Sequence, residues 1–262
     1  MLIAQLTDPH VTRPGRLASG RVDTARMLEA AVASVRALTV PPDLVVLTGD
    51  LVDAGHPDEY ARLRGLLTPL SQPLLCVPGN HDERAAFRAA FPMPAASGPA
   101  EFLQFVHETP ALRLIGLDTV VAGEARGELC ATRLAWLAQV LADAPQRPTV
   151  ILMHHPPFKT GIAFMDAMGL TGRETFAAIV ARHPQVKLVL CGHLHRPIHT
   201  LVGGRPTFTA PSTAHQIPVD LRAEAPEGFT MEPPGFMLHQ WTGQGFVTHT
   251  VPVGPWPGPF PF

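Results

Sequence analysis

The sequence predicts an α/β fold built on parallel strands. Short apolar runs of strand length alternate with segments of helical periodicity, in the order strand, helix, strand, helix. One run, Leu44 to Leu47, is apolar at every position, as a strand buried on both faces must be. The last third changes character. Its strand-like runs are joined by short turns such as "TGQG", a more antiparallel pattern.

The elements follow in order. Leu2 to Leu6 is a short apolar strand. Asp23 can cap a helix from about Thr24 to Leu38, because Leu28, Ala31, Val32, Val35 and Leu38 share one helical face. Pro41 and Pro42 end it. After the strand Leu44 to Leu47, Pro57 with Asp58 and Glu59 starts a helix reaching about Leu67, since proline fits a first turn and acids favour its dipole. Leu74 to Val77 is the next strand, and Glu83 to Phe91 a short helix stopped near Pro92. Phe102 to Val106 and Leu112 to Leu117 read as a strand pair, Thr132 to Leu141 as a helix, Val150 to Met153 as a strand. Arg173 to Arg182 is helical and Val186 to Leu190 a strand. Thr207 to Thr209, Phe236 to Trp241 and Phe246 to Val251 complete the strands. No repeat or linker divides the chain, so residues 1–262 are expected to form one domain. The apolar Pro-rich tail, about 252–262, is extended and wants a surface to pack on, which points to a homo-oligomer, a dimer or larger.

Composition sets limits. Hydrophobic residues make up 46% of the chain and charged residues 16%, ample for a core. The net charge of −2 advertises neither a nucleic acid polymer nor an anionic membrane as partner. No run reaches the ~18 apolar residues that span a bilayer, and no signal peptide is recognisable. Cys76, Cys130 and Cys191 are odd in number and widely spaced, which reads as reduced thiols in a cytoplasmic chain, with Cys76 and Cys191 as small core residues. Thirteen histidines stand against one tyrosine, a skew that chemistry should explain.

Five polar clusters supply it. "TDPH" follows the first strand, "TGD" the second, "GNHD" the third, "HHPP" the strand ending at Met153, and "GHLH" the strand ending at Leu190. The carboxyl ends of parallel strands are where α/β sheets bind ligands. Asp8, His10, Asp50, Asn80, His154, His193 and His195 offer imidazole, carboxylate and amide groups but no thiolate, a donor set for Zn, Fe, Mn or Co. These are too many for one tetrahedral ion. With Asp50 bridging, two ions receive four donors each, the arrangement that clamps both oxygens of a phosphoryl displacement. Gly49, Gly79 and Gly192 precede the donors and are read as sharp-turn residues.

Taken together, "TDPH", "TGD", "GNHD", "HHPP" and "GHLH" resemble the motifs of calcineurin-like metallophosphoesterases. The pattern is most similar to bacterial class III 3′,5′-cyclic nucleotide phosphodiesterases and a related glycerophosphodiesterase. The likeness runs on through "HHPPF", "STAHQIP" and "EPPGFMLHQW", so it covers most of the chain. It implies a four-layer αββα sandwich of two mixed sheets flanked by helices. It also implies that Asp8, His10, Asp50 and His195 hold one ion while Asp50, Asn80, His154 and His193 hold the other. His81 would lie near the phosphate, as proton donor to the leaving group or as an orienting group, and His215 would face the substrate. Asn80 would reach the substrate side as well.

The expected activity is hydrolysis of a small phosphodiester, a 3′,5′-cyclic nucleotide first, by in-line attack of a metal-bridging hydroxide. A glycerophosphodiester is the alternative, and a non-catalytic binding module on the same fold would have lost donors that are all present. The segments 156–171 and 215–235 are expected to roof the site, with Met165 and Met168 forming either an adaptable wall or packing within the loop. His155 is read as structural. Asp118 is open between orienting a histidine and capping a turn. Lys159 and Arg196 could touch phosphate but are read first as solvated charges, and His56, His107, His183, His199, His239 and His249 as surface or packing residues.

Overall fold

The computed structural model of the chain describes every residue except Ala95, Pro259 and Phe262. Its first half runs β1 (Leu2–Leu6), α1 (Thr24–Arg36), β2 (Leu44–Thr48), α2 (Pro57–Leu67), β3 (Leu74–Val77), α3 (Arg84–Ala90), β4 (Ala96–Ser97), β5 (Phe105–Glu108), β6 (Arg113–Gly116) and β7 (Gly127–Glu128). The second half runs α4 (Ala131–Ala142), β8 (Thr149–Leu152), α5 (Ala163–Ala167), β9 (Leu170–Thr171), α6 (Arg173–Ala181), β10 (Val186–Cys191), β11 (Ile198–Val202), β12 (Arg205–Thr209), β13 (Gly235–Trp241) and β14 (Phe246–Pro252).

Two mixed sheets result. One has the order β14-β13-β1-β2-β3, with β1, β2 and β3 parallel, β13 antiparallel to β1 and β14 antiparallel to β13. The other has the order β11-β12-β10-β8-β6-β5-β4, parallel at its centre from β12 to β6 and antiparallel at both margins. Strand alternation sorts the apolar side chains into layers. Ile3, Leu44, Val46 and Leu75 point inward to meet Leu114, Val150, Leu152, Leu188 and Leu190 of the opposite sheet. Their neighbours Ala4, Leu6, Val45 and Leu47 point outward under Leu28, Val32, Leu63 and Phe87 of α1, α2 and α3. Ile151 and Val189 likewise lie under Leu137, Phe176 and Ile179 of α4 and α6. The four layers are therefore helices, sheet, sheet, helices. No helix is long and apolar enough to cross a membrane among the described residues.

Local signals hold at the helix starts. Asp23 accepts the Arg26 N–H, and α2 begins with a capping box of His56 and Glu59 around Pro57. Glu83 caps α3 rather than beginning it. The expected strand Phe102 to Val106 starts at Phe105 instead, because Phe102 closes a turn from Pro99 and Leu103 N–H is taken by the Asp118 carboxylate. The segment 156–171 contains the short helix α5 and the two-residue strand β9, and β11 is a strand that no alternation in the sequence announced. Arg196 is no free charge: it donates to the Ile217 carbonyl at 2.6 Å and to Glu232 at 2.9 Å. On the tail, Trp256 is 61% and Phe260 75% exposed; Pro259 and Phe262 of the same segment lie outside the described residues.

Candidate metal centre

The strand ends of the two sheets point to one edge. Asp8 and His10 follow β1, Asp50 follows β2, Asn80 and His81 follow β3, His154 follows β8, and His193 and His195 follow β10. A cleft of about 250 Å³ opens over them, with His10, Asp50, Asn80, His81, His193, His195 and His215 in its walls. Asp8 and His154 lie beneath, fully buried. Backbone bonds zip the loops together: Asp8 N–H to Gly49 O, His10 N–H to Asp50 O, and Gly192 N–H to His154 O.

Strain concentrates here. Among the described residues, six that are not glycine have left-handed φ: Asp8, His10, Ser19, Asp50, His193 and His195. Five of them are predicted metal donors. Each such backbone costs on the order of 1–3 kcal/mol, and persists only where the surroundings over-determine it. Of the three glycines read as turn residues, only Gly49 needs the freedom, at φ +95°. Gly79 serves close approach instead, since a Cβ on it would lie 2.2 Å from Asp50 Oδ1.

The donors face one another. His195 Nδ1 gives its proton to the His215 carbonyl at 2.9 Å, so its Nε2 presents a lone pair to His10 Nε2, 3.1 Å away, and to Asp8 Oδ1, 3.3 Å away. His154 Nδ1 is likewise engaged by the Thr48 carbonyl at 2.8 Å, which aims Nε2 at Asn80 Oδ1 (3.1 Å) and Asp50 Oδ2 (3.3 Å). Facing acceptors need a cation between them, a metal ion or a proton. Burial opposes charge on His154, yet Asp50 and Asp8 raise it to about 9. Burial also opposes the charges on Asp50 and Asp8, but the adjoining histidines hold both carboxyls below their usual range. His193 is kept neutral by burial and by His155 and His154, and its buried Nε2 has no partner among the described residues. The ligand atoms of Asp8, His10, Asp50 and His195 all lie within 4.8 Å of one another. These oxygen and imidazole donors fit divalent transition ions.

His81 sits at the rim. Its N–H donates to Asp50 Oδ1 at 2.9 Å and its Nδ1 meets the Asp53 carbonyl at 2.7 Å. Burial works against protonation, but Asp50 and Asp53 leave its pKa raised. The His215 ring lies 4.7 Å from that of His195, and burial with His195 and His10 pushes it down to about 3. His155 spends both ring nitrogens on Thr119 Oγ1 and the Ala125 carbonyl. Asp118 accepts from Arg84, Leu103 N–H and Val120 N–H, and among the described residues it bonds to no histidine, as in the turn-capping reading.

Three residues escaped the sequence reading. Asp82 accepts from Gly79 N–H (2.8 Å), Leu51 N–H (3.1 Å) and Tyr60 OH (2.8 Å), tying the loops after β2 and β3 together. Burial, with the Asp50 charge close by, pushes Asp82 up to about 7. Asp53 and Ser19 line the cleft. Asp53 had a weak signal in its position three after Asp50; Ser19 had none.

Residues 1–197 match the calcineurin-like phosphoesterase family. The chain belongs to that family. A relative from Arcobacter nitrofigilis, "Probable glycerophosphodiester phosphodiesterase GpdQ", is 37% identical over 264 residues, spanning 100% of this chain and 97% of its own. The 3′,5′-cyclic adenosine monophosphate phosphodiesterase CpdA of Escherichia coli K12 is 33% identical, spanning 82% of this chain and 76% of its own. In fold, the chain is similar to a dimetal phosphatase from Danio rerio, with TM-score 0.65 at 16% identity, covering 97% of this chain and 99% of that one. As a calcineurin-like phosphoesterase the chain is a hydrolase of phosphate esters. The family works with divalent metal ions, in keeping with the donor set gathered here.

Proposed function

We propose that the chain hydrolyses a small phosphodiester at two divalent metal ions, and that its substrates are 3′,5′-cyclic nucleotides. The observation that carries this is the pair of facing acceptor sets that meet at Asp50. Asp8, His10, Asp50 and His195 would hold one ion, and Asp50, Asn80, His154 and His193 the other, with Asp50 shared. When bound, the ions supply the Lewis acidity that activates water and offsets charge on the phosphoryl oxygens. The chain does the rest. The His81 backbone N–H and the close approach of Gly79 fix the Asp50 carboxylate, and Asp82 ties together the loops that carry them. His81, with one ring nitrogen tied to the Asp53 carbonyl and its pKa raised, is placed to hold a proton for the leaving oxygen. His215 and the Asn80 amide face the substrate side of the cleft. The segments 156–171 and 215–235 roof the cleft, contributing Phe164, Met165, Met168, His215 and Ile217 to its walls.

A second reading, a glycerophosphodiester as substrate, is favoured by the relative that aligns over the whole chain. A homo-oligomer belongs to the proposal, supported by the exposed Trp256 and Phe260 of the tail. So does a cytoplasmic setting, supported by three unpaired cysteines. The test is a panel assay of protein reconstituted with Mn, Zn, Co or Fe on cyclic AMP, 2′,3′-cyclic AMP, glycerophosphoethanolamine, and bis- and mono-p-nitrophenyl phosphate, with metal content measured in parallel. Two bound equivalents and diester turnover, highest on the 3′,5′-cyclic nucleotide, are expected. Turnover of the monoester alone would overturn the proposal.

A further inference from the structure

The cleft has two unlike sides. Its floor and one wall are polar: Asp50, Asn80 and the histidines below, Ser19, Asp53 and His81 beside. The other wall is apolar: Phe164 and Met165 of the short helix α5, Met168 at its C-cap, and Ile217 from the neighbouring segment. Phe164 lies on α5 and Met168 is its C-cap residue four positions on, so the two are neighbours at the end of one helix face. Both line the cleft and both are half-buried.

That wall is held rigidly against the donors. Met165 is buried between them in sequence and packs with Ile162, Leu194 and Ile217. Leu194 is the residue between His193 and His195, so the helix rests directly on the metal loop. Asp166 locks the helix start by accepting from Thr160 N–H at 2.7 Å, Thr160 Oγ1–H at 3.0 Å and Gly161 N–H at 3.0 Å. Arg196 pins the neighbouring segment through the Ile217 carbonyl and Glu232. Phe164 and Met168 pack against the same cluster on one side and line the cleft on the other.

We infer that Phe164 and Met168 determine specificity, by seating a flat aromatic ring, a nucleobase, on the arm of the diester. The inference rests on the phosphodiesterase reading above. The chemistry favours a ring over a glycerol or ethanolamine arm. A hydroxyl or ammonium placed on this wall loses water and gains no hydrogen-bond partner. A base stacks on the phenyl face and takes a sulfur–aromatic contact from the thioether.

The test compares wild type, Phe164→Ala, Met168→Ala and Phe164→Trp, each loaded with metal, on cyclic AMP and on glycerophosphoethanolamine. Phe164→Ala is expected to raise KM for cyclic AMP about tenfold, the scale of removing one aromatic face from a bound base. Its kcat should stay within about twofold, because the ring lies away from the reacting bonds. KM for glycerophosphoethanolamine should rise several-fold less than that for cyclic AMP, and Phe164→Trp should restore the cyclic AMP value. A binding measurement runs beside it: in saturation-transfer NMR with adenosine 5′-monophosphate, the adenine protons should receive more saturation than the ribose protons in wild type, and lose that excess in Phe164→Ala. Equal losses on both substrates, no loss on either, or a wild type that hydrolyses glycerophosphoethanolamine but not cyclic AMP would each overturn the inference. A wild type that turns over no diester, bis-p-nitrophenyl phosphate included, would overturn the underlying reading instead, while the adenine contrast still decides whether the wall binds a ring.

Discussion

Gly79→Ala puts the proposed centre under the sharpest strain that one methyl group can apply. A Cβ at Gly79 would stand 2.2 Å from Asp50 Oδ1 and 2.3 Å from Asp50 N. Ordinary contact begins at 3.4 Å, so the carboxylate must retreat by 3.4 − 2.2 = 1.2 Å. Rotating the side chain cannot relieve the clash, because the backbone nitrogen of Asp50 is struck as well. Metal ligand distances tolerate only about ±0.2 Å. Asp50 is the group shared by both proposed ions, so its retreat weakens both sites at once. The expected outcome is loss of at least one metal equivalent and a fall of about 100-fold or more in kcat/KM, the upper range for disturbing a group that orients a ligand. Overpacking should cost a further ~1–3 kcal/mol of stability. The assay is elemental analysis of the purified variant, steady-state kinetics and a thermal melt. Gly65→Ala is the control: nothing lies within 4 Å of its Cβ, it sits exposed inside α2, and it should gain about 0.5–1 kcal/mol with unchanged kinetics. A folded Gly79→Ala that keeps both metal equivalents and near-native turnover would refute the shared role of Asp50.

Two further outcomes follow from buried polar groups away from the donors. Tyr60→Phe removes the hydroxyl that donates to Asp82 and accepts from Glu83 N–H. It should cost about 2 kcal/mol, since a bond to a buried carboxylate is lost, and lower Tm by roughly 4 °C; an unchanged melt would show that the Asp82 clamp adds nothing. His239 is fully buried between Gln5 Oε1 and Thr248 Oγ1, and burial pushes it down to about 3 from 6.5. The unfolded chain therefore takes up a proton between pH 6.5 and 3 that the folded chain refuses. Stability from this group is complete above pH 6.5 and falls by about 1.4 kcal/mol per pH unit below it. Urea unfolding of wild type and His239→Gln at pH 7, 6 and 5 should show the steeper decline in wild type, and parallel declines would contradict the assignment.

Much of the architecture was legible because its causes are local. Asp23, Pro57 and the spacing of Leu28, Val32 and Val35 specify helices by capping and periodicity, which act within a few residues. The unbroken run Leu44 to Leu47 specifies a buried parallel strand for the same reason. The five polar clusters were legible as a set because each follows a strand directly, and strand ends are where backbone groups and side chains are free to face a ligand. Asp82 was visible only as one more acid beside a histidine. Its partners, Tyr60 and the Leu51 N–H, lie 22 and 31 residues away, and no pattern in the chain announces them.

By itself, the sequence determined which groups can meet a cation: imidazole, carboxylate and amide donors, no thiolate, each at the end of its own strand. Tertiary structure alone decided that β1, β2 and β3 belong to one sheet and β8 and β10 to another, and that both sheets turn the same edge toward the cleft. Facing lone pairs, left-handed backbones at five of the proposed donor residues and the seating of α5 on Leu194 exist only once the two sheets have packed. The reason is physical. Propensity and periodicity act along the chain, whereas the close approach of Gly79 to Asp50 and the burial of Asp8 and His154 come from surfaces far apart in sequence that exclude water together.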